Sequence, residues 1–258
     1  MFLDDNPAER EIVRQHLPDV DVITLPGDPT GYCRALAKYL MFETSSYTTE
    51  DSHRAVQYKA KAEIATLQQQ TGSLEDFHRS LQMSAVVAPF DELHLPRIVQ
   101  LIGKTNQFNL TTRRHTLEQV RRFMDDPDCA HLHMKLTDRF ADHGLVSLII
   151  ANKDGAALDI DTWLMSCRVI GRTVEAELLS HLCAAAERMG CTRLRGTYIP
   201  SAKNMMVSDV FSRFGFEQIA DDEGTTQWEY DLAALGPIVN GFIAVQSAPA
   251  AAKQEVSS

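Results

Sequence analysis

Trp163-Leu164-Met165-Ser166-Cys167-Arg168-Val169-Ile170-Gly171-Arg172-Thr173-Val174 holds three elements of a fold in twelve residues. The apolar run before Ser166 closes a strand. From Val174 onward, Val174, Leu178, Leu182, Cys183 and Ala186 recur on one face of a long helix that Gly190 ends. Between them sits a polar loop containing Gly171. The first N–H groups of a helix have no intrahelical partner and its dipole favours negative charge, so this loop is a candidate anion site. A glycine there allows a phosphate to approach the backbone. Arg168, Val169, Gly171, Arg172 and Thr173 are the residues expected to form it.

Working outward, strands are expected at 85–88, 130–136, 145–152 and 157–164, with helices at 95–103 and 116–124. Lys153-Asp154-Gly155 has hairpin-turn chemistry. After the long helix come a strand at 193–198, a helix at 204–214 and a strand at 228–232. Upstream, Asn6 and Pro7 mark a helix start, as cap and first helical residue. That helix stops before Pro18, a short strand holds Val20, Val22 and Ile23, and a second helix spans 32–42. Val56, Ala60, Ile64 and Leu67 place a connecting helix at 51–70, and Ser73 caps a short one. The expected organisation is an α/β segment 1–50, a helical connector 51–82, an α/β domain 83–235 and a tail 236–258.

The chain has 258 residues, 44% hydrophobic and 23% charged, which is enough apolar material for a core. Its net charge of −10 argues against a nucleic-acid partner, since phosphate neutralisation needs the opposite balance. No apolar run approaches the ~18 residues of a membrane span, and Asp4-Asp5-Asn6-Pro7 is unlike a secretory signal. Five cysteines, odd in number and without Cys-x-x-Cys spacing, fit reduced thiols in a cytoplasmic protein.

Three residue groups could carry chemistry besides the loop. Cys167 follows the strand and is flanked by Arg168 and Arg172, a setting that favours a nucleophilic thiolate; a buried strand-end cysteine is the alternative, and Cys183 and Cys191, on a helix face and near a helix end, are expected to be buried. Lys104 to Arg114 combines amides, hydroxyls and paired arginines. Asn106, Gln107, Asn109 and Thr111 could bind a small polyol acid and Arg113 or Arg114 a phosphate, or the segment is a capped, solvated loop. Asp4 and Asp5 stand where a parallel strand ends, a place for a magnesium ligand as well as for capping. The histidines show no metal spacing, and His131 and His133 alternate on an expected strand.

The order of strands, polar loop, helix, strand, helix and strand resembles the GNAT acyltransferase fold. That family's (Gln/Arg)-x-x-Gly-x-(Gly/Ala) signature, which cradles the coenzyme A pyrophosphate, is matched by Arg168 and Gly171, with Thr173 in place of Gly or Ala. A tyrosine that serves as general acid in many GNAT proteins falls at Phe211, four residues before Gly215, where there is no proton to give. More specifically, four segments in order resemble FkbH-type proteins: Phe2 to Arg10, Lys104 to Arg114, Trp163 to Arg172, and Tyr198 to Asn204. Phe2 to Arg10 is similar to that family's fourth haloacid-dehalogenase (HAD) motif.

The resemblance implies a mixed GNAT-like sheet with flanking helices, preceded by the C-terminal remnant of a HAD-like Rossmannoid domain. It implies glyceryl transfer from 1,3-bisphosphoglycerate to an acyl carrier protein, through a Cys167 thioester, in polyketide-type biosynthesis. Phosphopantetheine or coenzyme A would lie on the Arg168–Thr173 loop, with Asn204 contributing. The family's Asp-x-Asp nucleophile is not found here, so Asp4 and Asp5 imply Mg2+ only if a separately encoded HAD half is supplied. No autonomous phosphatase activity is expected, and a start at Met1 inside a motif suggests a fragment, split gene or miscalled start. An acyl-CoA-dependent N-acyltransferase and a non-catalytic carrier-docking remnant are the alternatives. Docking to an acidic carrier would use Arg113, Arg114, Arg121 and Arg122.

Overall fold

Asn6 accepts a hydrogen bond from the Ala8 N–H at 3.0 Å and Pro7 opens the first helix, as the cap chemistry of these residues requires. The computed structural model describes residues 1–17, 20–39, 64, 67 and 71–246, and divides into two compact units, Met1–Ala55 and Val56–Ser258.

The first unit is a βαβ motif. Strand β1 (Phe2–Asp4) pairs in parallel with β2 (Val22–Thr24), and helix α1 (Pro7–His16) connects them. Buried Arg10 donates to the carbonyls of Asp4 and Asp5, both at 2.8 Å, which pins the strand end to the helix. Helix α2 (Tyr32–Ala37) follows a 3-10 turn. The remainder of the helix expected at 32–42, and of the connecting helix apart from Ile64 and Leu67, lies outside the described residues.

The second unit is a mixed α/β sheet flanked by helices, as the patterning implied. Helix α3 (Leu74–Ser80), capped by Ser73, leads into β3 (Met83–Pro89), α4 (Leu95–Lys104), β4 (Phe108–Asn109) and α5 (Leu117–Asp125). Then come β5 (Cys129–Thr137), β6 (Asp142–Asp154), β7 (Ala157–Met165), α6 (Val174–Arg188) and β8 (Arg193–Tyr198). Helix α7 (Val210–Arg213), a hairpin of β9 (Glu217–Asp222) and β10 (Thr225–Asp231), helix α8 (Leu232–Leu235) and β11 (Ile243–Gln246) complete it. The spatial order is β11-β3-β5-β6-β7-β8-β10-β9, with β4 added on β7.

Strand alternation assigns the two cores. Ile149, Ala151, Trp163 and Met165 pack with Leu178, Leu182 and Ala186 of α6 on one face. On the other, Leu148, Ile150 and Leu164 pack with Ile98 and Ile102 of α4 and Val120 of α5.

Two expectations are corrected. The tail expected over 236–258 begins with structure, because β11 pairs in parallel with β3 and Asn240 donates to the Thr173 carbonyl at 3.1 Å. Its apolar Ile243 is buried, which the surrounding Ala- and Ser-rich composition disguised. The helix expected at 204–214 is a 3-10 turn (Met205–Val207) followed by the four-residue α7, since Asn204 is held by side-chain bonds outside helical geometry.

Candidate functional site

β7 changes direction at Asp161. In its pairing with β6, Ile150 faces Thr162 while Ala151 faces Ile160, which leaves Asp161 as the extra residue of a β-bulge. On the other edge, the parallel pairing with β8 ends at Ile160 opposite Gly196. Beyond the bulge the two strands part. β4 fills the gap, with Phe108 paired to Met165 and Asn109 to Leu164. Leu110 spans the opening: its N–H donates to the Trp163 carbonyl at 3.2 Å, and its carbonyl accepts from the Ile199 N–H at 2.8 Å.

The polar run Lys104 to Arg114 is therefore a wedge built into the sheet. Thr111 Oγ1 donates to the Asp161 carbonyl at 2.9 Å, and Asn109 Oδ1 accepts from the Thr112 N–H at 2.9 Å. Arg114 donates to the carbonyl oxygens of Ile102 and Thr105 and to Asn106 Oδ1, and Arg113 pairs with Asp161. Asn204 is fully buried; its amide donates to the carbonyls of Asn109 and Ile199, and its oxygen accepts from the Ser201 N–H at 2.7 Å. Asn109, Thr111 and Asn204, expected as binding residues, are buried and bonded within the protein. Gln107 remains exposed, and Asn106 half-buried, at the edge of the wedge.

Asp161 is the anchor. His115 Nε2 lies 2.8 Å from its Oδ2, Thr162 Oγ1 donates to it at 2.7 Å, and Arg113 pairs with the other oxygen. Burial by itself would raise its pKa, but the hydrogen bonds from His115 and Thr162 and the charge of Arg113 outweigh it and hold the carboxyl at about 2. A folded-state value below the unfolded one contributes stability that is present above the unfolded pKa and lost as pH falls. Asp161 is thus expected to contribute roughly 2 kcal/mol at neutral pH, lost between about pH 4 and pH 2. Urea titrations over that range on the native chain and Asp161→Asn check this: the variant should lack this part of the acid slope, and identical slopes would refute it.

The second part of the site is the loop between β7 and α6. Cys167 opens a 3-10 turn (Cys167–Val169) and is exposed, so the buried-cysteine alternative is not what the fold provides; Cys183 and Cys191 are buried as expected. Gly171 takes a left-handed φ of 80° and is open to solvent, and Thr173 is left-handed too, with φ 57°. The N–H groups of Gly171, Arg172 and Thr173, at the head of α6, have no acceptor among the described residues. Arg168 is half-buried and bonds Ser166 Oγ at 3.1 Å.

Two residues of this loop turn inward. Val169 is fully buried. Arg172 is buried and pairs with Asp138, whose Oδ2 also lies 2.9 Å from His143 Nε2. A phosphate-binding role for the Arg172 side chain is corrected by that pairing, which lies 34 residues away in sequence. His78 Nε2 lies 2.9 Å from the Gly171 carbonyl and so braces the loop from α3. Glu175 in the first turn of α6 is buried, and desolvation raises its pKa.

Near the end of β8, a pocket of about 380 Å³ is lined by Tyr198, Pro200, Ser201, Ala202, Met205 and Ser208. Sequence reasoning did not single out Tyr198 or Ser201 as site residues. Burial raises the Tyr198 pKa, so its hydroxyl keeps its proton. Phe211, in contrast, is completely buried among Trp163, Phe216 and Trp228. In the first unit, Asp4 Oδ1 accepts from the Asn6 N–H at 2.7 Å, a capping contact, and among the described residues no third ligand joins Asp4 and Asp5.

No family model and no curated protein matches the chain. Among solved structures, it is similar to the GNAT domain of S. lividans PAT, at 20% identity over 57% of this chain and 89% of that one, with a TM-score of 0.45. It is similar to an acetyltransferase from Thermus thermophilus, at 19% identity over 58% and 97%, with a TM-score of 0.43. It is also similar to a PaiA N-acetyltransferase from Thermoplasma acidophilum in complex with coenzyme A, at 12% identity over 57% and 99%, with a TM-score of 0.41. These likenesses are of chain path over a little more than half of the chain, and none of the three is a HAD-like or FkbH-type protein.

Proposed function

We propose that the second unit is a GNAT-type acyltransferase that handles an acyl group together with a pantetheine thiol, carried by coenzyme A or by a carrier protein. The observation that carries this is the head of α6: N–H groups at Gly171, Arg172 and Thr173 without an acceptor among the described residues, with Gly171 open to solvent, a few residues after the exposed Cys167. Fixed amide donors at a helix start suit the phosphate of a pantetheine arm. Ordinary acyl-CoA-dependent N-acylation is the simplest form of this activity, since it needs no second protein. Isothermal titration with coenzyme A and acetyl transfer to a panel of amines test it. Binding that Gly171→Asp weakens at least about tenfold supports the site, since it sets a carboxylate against the phosphate. No binding of coenzyme A or of phosphopantetheine refutes it.

A second reading, glyceryl transfer from 1,3-bisphosphoglycerate to an acyl carrier protein, is favoured by two residues. Cys167 is exposed, and Phe211 has no proton to give a leaving thiolate. An acyl phosphate is already activated and needs no such acid. The Cys167 thiolate would attack the acyl carbon, the acyl phosphate would leave as inorganic phosphate, and the carrier thiol would take the resulting 3-phosphoglyceryl group by thioester exchange; hydrolysis of the remaining 3-phosphate by water, in a separately supplied HAD half, would complete the glyceryl product. Intact mass spectrometry after incubation with 1,3-bisphosphoglycerate is expected to show a glyceryl or phosphoglyceryl adduct that Cys167→Ala removes. An adduct that persists in Cys167→Ala excludes that nucleophile. Magnesium-dependent phosphatase activity is expected to be absent unless a HAD half is supplied, and phosphate release from a model phosphomonoester by the pure chain would contradict that. Binding without turnover in either assay would leave carrier docking as the role.

A further inference from the structure

His133 sits on β5 with 1% of its surface exposed, opposite Ala88 of β3. Its Nδ1 is buried and has no hydrogen-bond partner. A buried imidazole nitrogen without a partner is an unmet demand for one.

The surroundings offer one. Asp91 lies in the turn after β3 and His94 directly before α4. The His94 ring lies 4.7 Å from the His133 ring, centroid to centroid. Asp91 Oδ1 accepts from the His94 N–H at 2.8 Å, and Asp91 Oδ2 lies 2.8 Å from His94 Nδ1. One ligating atom from each of Asp91, His94 and His133 lies within 4.8 Å of the others. The turn that leads into α4 accounts for the Asp91–His94 contacts, but it leaves the His133 nitrogen unexplained.

We propose that Asp91, His94 and His133 form a binding site for a divalent transition-metal ion of the zinc class, separate from the β7–α6 loop. Two imidazole nitrogens and one carboxylate oxygen suit Zn2+ and disfavour Mg2+ and Ca2+, which take oxygen ligands. Three ligands leave a fourth position for water. His94 and Asp91 are part-exposed, with 26% and 46% of their side chains accessible, so an ion can enter from solvent. On binding, His94 gives up its Nδ1 contact with Asp91 and carries its proton on Nε2. Small side-chain rotations of the two outer residues bring the three atoms to the ~2.0–2.2 Å that zinc requires. The ion would tie the β3–α4 turn to the middle of β5.

The test uses the full chain stripped with a chelator, titrated with ZnCl2 by calorimetry and with Co2+ by visible absorption. The expected result is one Zn2+ per chain and cobalt d–d bands of a low-coordinate site. His94→Ala, a part-exposed change, and His133→Phe, which keeps an aromatic ring in the core, should each weaken Zn2+ binding at least about tenfold. Far-ultraviolet circular dichroism monitors folding of both variants. Zn2+ should also raise the melting temperature of the native chain and leave that of His94→Ala nearly unchanged. No stoichiometric Zn2+ binding, or binding that both folded variants retain, overturns the proposal, and the His133 nitrogen is then served by a buried water.

Discussion

Asp138→Ala is expected to lower stability by about 3–5 kcal/mol, because it leaves the Arg172 guanidinium buried without its counter-charge. Asp138 has no exposed side-chain surface and holds four groups at once: Arg172, His143 Nε2 at 2.9 Å, and the N–H groups of Phe140 and Ala141, both at 2.9 Å. Burial by itself would raise its pKa, yet the bond with His143, the backbone donors and the Arg172 charge together lower it, so the carboxylate stays ionised at neutral pH. For a domain of this size the loss corresponds to a melting-temperature drop of roughly 10 °C. Asp138→Asn keeps an acceptor for the two amides and should fall between. A drop below about 2 °C for the alanine variant would show that Arg172 finds another partner or water. The β5–β6 turn and the β7–α6 loop meet at this carboxylate, so coenzyme A binding, if present, should weaken along with stability.

Gly196→Ala is expected to be nearly as damaging, by about 3 kcal/mol or more. A Cβ at this position would lie 2.1 Å from Phe211 Cζ and 2.3 Å from Cε1, well inside contact distance. Gly196 has an ordinary strand conformation, so the penalty is steric rather than a matter of backbone freedom. The ring cannot give way easily, since Trp163, Phe216 and Trp228 surround it. A double-mutant cycle with Phe211→Leu checks this. Shrinking the ring should recover at least about 1 kcal/mol relative to the sum of the single changes, and strict additivity would disprove the contact. The same packing explains why Phe211 is not a tyrosine. A hydroxyl in this apolar cluster would need a buried partner.

Local features transferred from sequence to structure with little loss. Asn6, Ser73 and Gly190 mark helix ends as their chemistry demands, and Lys153-Asp154-Gly155 turns β6 into β7. The placement of Gly171 between a strand and a long helix was legible too, because strand and helix periodicities switch within ten residues and a polar loop must join them. The tail was misjudged, since four residues of β11 carry too little pattern to stand out from their surroundings.

The candidate site residues divide along a different line. Cys167 and Gly171 are accessible, and their chemistry could be named from their neighbours in the chain. Arg172, Asn109, Thr111 and Asn204 could not be assigned that way, because polar residues in a polar run look alike whether they face water or the interior. What separates them is contact at long range: Asp138 for Arg172, the Asp161 carbonyl for Thr111, and the Asn109 carbonyl for Asn204. The sequence by itself therefore determined the elements, their caps and the outward loop, all of which depend on interactions within a few residues. Only the tertiary structure decided that the polar run is a wedge between parted strands, because a bulge at Asp161 opens that edge and backbone groups freed there must find partners.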